Sequence, residues 1–119
     1  MTEYSIEEHK WEIKGIPDED GILFKMYLSD IGEIGRARVV KIFNDTRQQY
    51  YALLEDLILE EEYRGIGFGY MFVKQIIQEV EKEGCYKFIA TSRFGRDMIH
   101  KFYMDLGFKE WGYEFRIDL

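Results

Sequence analysis

Glu62-Tyr63-Arg64-Gly65-Ile66-Gly67-Phe68-Gly69-Tyr70 joins two stretches that favour different structures. Before it runs the most apolar segment of the chain, Tyr50 to Leu59. After it, from near Gly69, apolar residues recur at helical spacing. A strand, a glycine-rich turn and a helix start together let a backbone hold a phosphate. The first N–H groups of a helix have no partner inside it, and the aligned peptide dipoles place about half a positive charge there. Glycines at 65, 67 and 69 allow main chain to approach an anion without an intervening Cβ. A phosphorylated ligand is therefore expected at this turn, and everything else in the chain has to be arranged around it.

The helix that follows is defined by Phe72, Val73, Ile76, Ile77 and Val80, with Lys74, Gln75, Gln78, Glu79 and Lys82 off the stripe and Gly84 as its stop. Upstream, His9 to Ile16 reads as a strand, Pro17 to Gly21 as a turn, Ile22 to Leu28 as a buried strand and Arg36 to Phe43 as a β-branched strand. Asn44-Asp45-Thr46 turns the chain into the run Tyr50–Leu59, which is interrupted by Glu55 and Asp56. Downstream, Cys85 to Thr91 reads as a strand, and Arg96 to Leu106 as a second helix ended by Gly107. The tail from Phe108 holds a short strand, a turn at Gly112 and a last strand, Tyr113 to Ile117. The predicted class is α+β: a mixed, largely antiparallel sheet with central splayed strands and two main helices. A right-handed crossover is expected to link the strands on either side of the first helix.

The chain's 119 residues suit one domain, residues 1–119. A net charge of −7 argues against nucleic acid and against anionic membrane surfaces, and suits a basic acceptor such as an amine. No apolar run is long enough to cross a bilayer, and the opening Met-Thr-Glu-Tyr-Ser-Ile-Glu-Glu shows no leader pattern. The single cysteine, Cys85, excludes an internal disulfide and points to a cytoplasmic location. His9 and His100 have no Cys or carboxylate at metal-ligand spacing, so no metal site is expected.

The glycine turn is not a P-loop, because Gly69 is followed by Tyr70 and Met71 rather than Lys and Ser/Thr. Nor is it a dinucleotide fingerprint, whose glycine spacing differs and which opens an early βαβ unit. Arg64-x-x-Gly67-x-Gly69, after an apolar strand ending in an acidic turn, instead resembles the acetyl-CoA pyrophosphate loop of the GNAT superfamily of N-acetyltransferases. His100-Lys101-Phe102-Tyr103-Met104-Asp105-Leu106-Gly107-Phe108 resembles that family's second signature. The two motifs stand in the family's order with a helix and a strand between them. Two departures are visible. The family places helices between its first two strands, where this chain has only Pro17 to Gly21, so the acceptor side should be open or completed by a second subunit. Arg93 and Arg96 stand where family members often carry an asparagine contact to the cofactor.

The resemblance implies acetyl-CoA as co-substrate and a primary amine as acceptor: a lysine, a protein N-terminus, a polyamine or another small amine. It assigns the anchor to backbone at Leu57, Ile58 and Leu59 and at Gly65, Ile66, Gly67, Phe68, Gly69 and Tyr70, with Arg64 the side chain nearest the phosphates. An alternative for Arg64 is pairing with Glu60, Glu61 or Glu62. The family's tyrosine at the position of Tyr103 donates a proton to the coenzyme sulfur. A tyrosine pKa near 10 and a thiol pKa near 8.5 suit that transfer. Glu55 is the candidate general base, since an alkylammonium cannot attack until it loses a proton. By strand parity Glu55 faces with Leu53, Leu57 and Leu59, and Asp56 faces the other way, unless a bulge intervenes. Lys101, Arg93 and Arg96 are candidate partners of the coenzyme's outer phosphate. The same scaffold could instead serve as a catalytically silent acyl-CoA-binding or protein-interaction module. Exposed aromatics and an uncovered sheet edge would promote a homodimer.

Overall fold

The computed structural model of the chain describes residues 10–119. Four strands follow one another as an antiparallel meander: β1 (Trp11–Pro17), β2 (Gly21–Leu28), β3 (Gly32–Asn44) and β4 (Gln49–Leu59). A one-turn 3-10 helix (Glu61–Tyr63) leads into α1 (Phe68–Lys82). The chain then returns through β5 (Phe88–Ala90), which lies parallel to β4, and ends its regular structure in α2 (Asp97–Asp105). Sheet order is β1-β2-β3-β4-β5. The fold is the α+β mixed sheet with two main helices expected from the sequence. His9, placed at the start of the first strand by its pattern, lies outside the described residues.

Side-chain alternation sets the two faces of the sheet. In β2, Ile22, Phe24, Met26 and Leu28 are buried, while Leu23, Lys25 and Tyr27 on the other face are half-buried. Ala37 and Val39 of β3 and Ala52 and Leu54 of β4 continue the buried face. Against it lies the apolar stripe of α1, with Phe68, Phe72, Val73 and Ile76 fully buried and Val80 nearly so. Burying each such side chain contributes about 1.5–3 kcal/mol, so this single sheet-on-helix layer is the main source of stability. Lys41 of β3 reaches Glu83 at the end of α1 at 3.6 Å.

The β1–β2 turn is held by Asp18, whose Oδ1 accepts the amides of Asp20 and Gly21, both at 2.9 Å. The Arg38 guanidinium of β3 reaches over and donates to both carboxylate oxygens of Asp18, which ties the turn to the third strand. The Arg38 hydrogen bond, with the two amides, holds the Asp18 carboxyl at about 2, well below its ordinary 3.8. A carboxylate whose pKa is lowered by folding stabilises the fold above its unfolded value. Its contribution is therefore complete above pH 3.8 and is lost as pH falls towards 2. Asp18→Ala is expected to lower Tm at neutral pH. The gap between variant and parent should narrow below pH 3.8 in thermal melts, and a gap that stays constant with pH would rule out the ion pair as its cause.

Two expectations fail at the far side of the sheet. The strand expected over Cys85–Thr91 reduces to Phe88–Ala90. Tyr86 and Lys87 still meet β4, through Tyr86 N–H to the Tyr50 carbonyl and Ala52 N–H to the Lys87 carbonyl, each at 3.0 Å. The ladder ends at Ala90 because β4 bends away past Leu54. The tail strands expected from Phe108 and over Tyr113–Ile117 are also not formed. Residues 109–119 carry no ladder and are exposed throughout. Their alternation is that of a strand, but among the described residues no strand pairs with them.

Candidate active site

The reason for the bend in β4 is its acidic pair. Arg38 stands opposite Glu55 and Arg36 opposite Ile58, so Asp56 and Leu57 together face Ala37. This is a β-bulge, and Asp56 takes a left-handed conformation, φ 51°. Aspartate is one of the few residues that tolerate that region, which explains an acidic residue inside an apolar strand. The bulge corrects the parity drawn from the sequence. Ala52 and Leu54 face the core before it, whereas Leu57 and Leu59 pack against the core after it. Glu55 therefore shares a face with Leu53 but not with Leu57 and Leu59.

The bulge also opens the sheet. The parallel pairs between β4 and β5 are Ala52 with Phe88, Leu53 with Ile89 and Leu54 with Ala90. Beyond Leu54 the pairing with β5 stops, and among the described residues the sheet is split from there on. Glu55 is the first residue past the last pair, exposed at the vertex of the split. Among the described residues, Ile58 and Leu59 are paired with Arg36 and Gly35 on one side only, so no described strand lies along the edge of β4 facing the split. Such an edge can take an extended arm as an added strand.

Past the split the chain makes the glycine turn. Tyr63 is buried and meets Phe68 edge-on at 6.0 Å, which pins the turn to the helix start. Gly65 and Gly67 adopt φ of 77° and 105°, a region where a side chain is strained. Gly67 is the N-cap of α1, and the first bond closing the helix runs from the Met71 amide to the Gly67 carbonyl at 3.1 Å. The amides of Phe68, Gly69 and Tyr70 precede that bond. No side chain caps them and no acidic residue occupies the first turn. Ile66 and Tyr70 flank the turn, 41% and 39% exposed. Gly69 has a second neighbour, since a Cβ there would lie 3.7 Å from the Phe102 ring of α2. Arg64 does not pair with the adjacent glutamates. Its Nε donates to the Leu59 carbonyl at 2.7 Å, tying the turn to the end of β4.

Tyr103 is half-buried in α2 and packs against the core. Its position is set by the end of the helix. The Phe108 amide donates to the Tyr103 carbonyl at 3.1 Å and the Gly107 amide to the Met104 carbonyl at 3.0 Å, with Gly107 at φ 104°. This is a Schellman cap with its usual apolar contact, here Phe108 against Tyr103 at 5.3 Å between ring centres. Phe108 in turn packs on Phe88 of β5 at 5.7 Å. The Leu-Gly-Phe run thus clamps the Tyr103 ring and anchors it to β5. Burial pushes the Tyr103 phenol above its ordinary pKa, so it keeps its proton throughout the neutral range.

The remaining candidates separate. His100 donates Nε2–H to the Arg93 carbonyl at 2.8 Å, a tie between α2 and the loop before it. Lys101 is paired with Asp105 at 2.8 Å. Arg93 and Arg96 are exposed in the loop between β5 and α2. Burial raises the Cys85 thiol, which leaves it protonated and inert. A groove of about 370 Å³ between β1 and α1, lined by Ile13, Phe24, Gln75 and Glu79 among others, contains none of the candidate catalytic or coenzyme-binding residues. Sequence reasoning missed Arg38. It stands across from Glu55, and the carboxylates of Asp18, Asp20 and Glu55 all help to hold its positive charge. No linear spacing could have brought it there, because the pairing depends on the β3–β4 register.

A bulged strand at the end of the β4–β5 pairing, a helix start without a side-chain cap and a tyrosine clamped at the end of α2 are thus assembled on one mixed sheet. The chain belongs to the acetyltransferase (GNAT) family, whose model matches residues 3–108. It is 32% identical over 66 residues to a glucosamine 6-phosphate N-acetyltransferase of Trypanosoma brucei brucei, a match covering 56% of this chain and 43% of that protein. The chain thus spans less than half the length of that curated relative. Among solved structures, a Trypanosoma brucei acetyltransferase superposes with a TM-score of 0.77 at 19% identity, over 92% of this chain and 100% of that one. Glucosamine-6-phosphate N-acetyltransferase of Arabidopsis thaliana superposes with a TM-score of 0.71 at 17% identity, over 83% and 67%. At such identities these two likenesses establish the fold. Among the described residues, no helix is long and apolar enough to cross a membrane.

Proposed function

We propose that a single domain spanning residues 1–119 transfers an acetyl group from acetyl-CoA to a primary amine. The observation that carries this reading is the split at Glu55. It offers a free strand edge leading from an uncapped helix start towards a vertex occupied by a carboxylate. The residues present fit the coenzyme. Amides of Phe68, Gly69 and Tyr70, with Gly65, Ile66 and Gly67 giving close approach, would meet the diphosphate, and Arg64 lies beside them. The free edge of Leu57, Ile58 and Leu59 would align the pantetheine arm, and an amide of that edge would polarise the thioester carbonyl.

In the transfer, the amine nitrogen bonds to the acyl carbon and the carbon–sulfur bond breaks. Glu55 draws the ammonium in and takes its proton, directly or through one water. Tyr103 gives its phenolic proton to the departing thiolate and is reprotonated by the second proton, which the nitrogen sheds as the amide forms. Among amines, an amino-sugar phosphate is the first to test, by similarity to the trypanosomal relative. Lysine, a protein N-terminus and polyamines complete the panel. Free thiol release measured with each amine tests the activity. Coenzyme binding without turnover across the panel would instead mark a silent acyl-CoA module.

Glu55→Gln is expected to lower kcat/KM at neutral pH by about 100-fold, within the range of general-base catalysis. Its rate should climb with pH as more of the amine is free base. A variant with the parent's rate and pH profile would remove Glu55 from the mechanism.

A further inference from the structure

The face of the sheet turned away from the core carries a charge pattern that acetyl transfer alone leaves unused. Arg36 and Arg38 of β3 both lie on it, since Ala37 between them is fully buried. The ladder sets Lys14 of β1 opposite Lys25 of β2, and Lys25 opposite Arg36. Three cations thus stand in one row across three strands, and like charges directly opposite one another destabilise a sheet. Two of them are neutralised within the chain. Lys14 reaches Glu12 at 3.5 Å and Lys25 reaches Glu33 at 3.0 Å. Arg36 is exposed and, among the described residues, has no hydrogen-bond or ion-pair partner.

Arg36 occupies the end of the row nearest the candidate site. It pairs with Ile58 of β4, while Arg38, two residues on, pairs with Glu55. Ile58 is exposed between Leu57 and Leu59, which pack against the core, so it shares the outer face with Arg36 and Glu55. At about 3.3 Å per residue along a strand and about 4.8 Å between strands, Arg36 and Glu55 lie roughly 8 Å apart at the backbone. Arg38 is nearer but already committed, since it donates to both carboxylate oxygens of Asp18. The surroundings of Arg38 are acidic, with Asp18, Asp20 and Glu55 all acting on its charge. The outer face therefore has an excess of carboxylates at the Glu55 end and one unspent guanidinium at the Arg36 end. α1, whose start would hold the coenzyme, and Tyr103 of α2 pack on the core side, which leaves the outer face to the acceptor.

We infer that Arg36 is a specificity-determining residue for an acceptor that carries a phosphate about the width of a sugar ring away from its amine. A guanidinium meets a phosphate through two parallel hydrogen bonds, a geometry that an exposed, unpaired arginine can offer. The ammonium at Glu55 and the phosphate at Arg36 then use opposite ends of one surface. An α-carboxylate is too near its own amine to meet both groups, and a polyamine would bring a second cation against Arg36. This assignment rests on the acetyl-transfer reading and narrows its panel of amines to those that carry an anion.

Thiol release with aminopentyl phosphate and with its phosphate-free counterpart, aminopentanol, tests it. The parent should favour the phosphate by about 10–100-fold in kcat/KM, the usual worth of a hydrogen bond to a charged group. In Arg36→Gln the preference should fall to near unity, through KM rather than kcat, and Arg36→Lys should keep part of it as a point charge. Lys14→Gln, at the far end of the row, should keep it whole. Glucosamine 6-phosphate against glucosamine repeats the comparison on a ring. An equal preference in the parent and Arg36→Gln would overturn the assignment. So would a coenzyme dissociation constant raised by Arg36→Gln, which would place that guanidinium on the coenzyme. Calorimetry of aminopentyl phosphate on the CoA-loaded protein separates the subsite from the reaction. Arg36-dependent binding without turnover of any amine would sink the transferase reading and leave the phosphate subsite standing. Turnover of aminopentanol with no preference for its phosphate would do the reverse, and absence of heat with the parent would also overturn the subsite.

Discussion

Tyr103→Phe is expected to lower kcat by about 10²–10⁴, the usual contribution of a positioned general acid. That corresponds to about 3–5 kcal/mol of transition-state stabilisation. The phenolic hydroxyl is the only group lost. Ring contacts to Phe102 and Phe108 and the Schellman cap that fixes them remain, so the fold and the acetyl-CoA affinity should be unchanged. The high pKa imposed by burial keeps the group protonated in the neutral range, which is the form a departing thiolate requires. Turnover measured by thiol release, with acetyl-CoA titrated calorimetrically, separates the two effects. Full activity in the variant would leave the thiolate to be protonated by solvent and would remove Tyr103 from catalysis.

Gly67→Ala should act on the other half of the reaction. Gly67 sits at φ 105° as the N-cap of α1, where a Cβ is strained by about 1–2 kcal/mol. A fall in Tm of about 4–8 °C follows for a chain of this size. Strain relief by turning the peptide would misalign one of the amides proposed to meet the diphosphate. One hydrogen bond to a charged group is worth about 1.5–3 kcal/mol, so the coenzyme dissociation constant should rise about 10–100-fold. Gly84→Ala is the control. Gly84 has φ 81° with open space around it and lies past the other end of α1. It should lower Tm similarly and leave coenzyme binding alone. Equal loss of binding in both variants would mean that the turn acts only through global stability.

Much of the architecture was legible in the order of residues. The stripe Phe72, Val73, Ile76, Val80 became the buried face of α1, and the alternation in Ile22–Leu28 became β2 with its even-numbered residues inside. The glycine turn falls at the helix start, and Gly107 closes α2. Arg64 proved harder to read. Three glutamates sit next to it in sequence, yet its guanidinium turns back to the Leu59 carbonyl. Sequence proximity overstates pairing between exposed charges, because such pairs gain little over their hydration.

The site was read less completely, and the gaps share a cause. Glu55 and Asp56 marked the place, but whether Glu55 shares a face with Leu57 and Leu59 depended on one inserted residue opposite Ala37. A bulge reverses every side chain beyond it, and nothing in the local pattern announces it except the tolerance of aspartate for φ 51°. Arg38 stands across from Glu55 only through the register of β3 on β4. The tail shows the converse. Its period-two alternation is unmistakable, but alternation states that a strand wants a neighbour and not that one exists.

Side-chain periodicity and turn chemistry are local properties, expressed within a few residues, so the chain alone indicated its first four strands, its two helices and the glycine turn that opens α1. Where β4 parts from β5, which carboxylate stands at the vertex, and which edge is left open are decided by pairing between distant segments. Those pairings depend on register and backbone curvature, and only the folded sheet contains them.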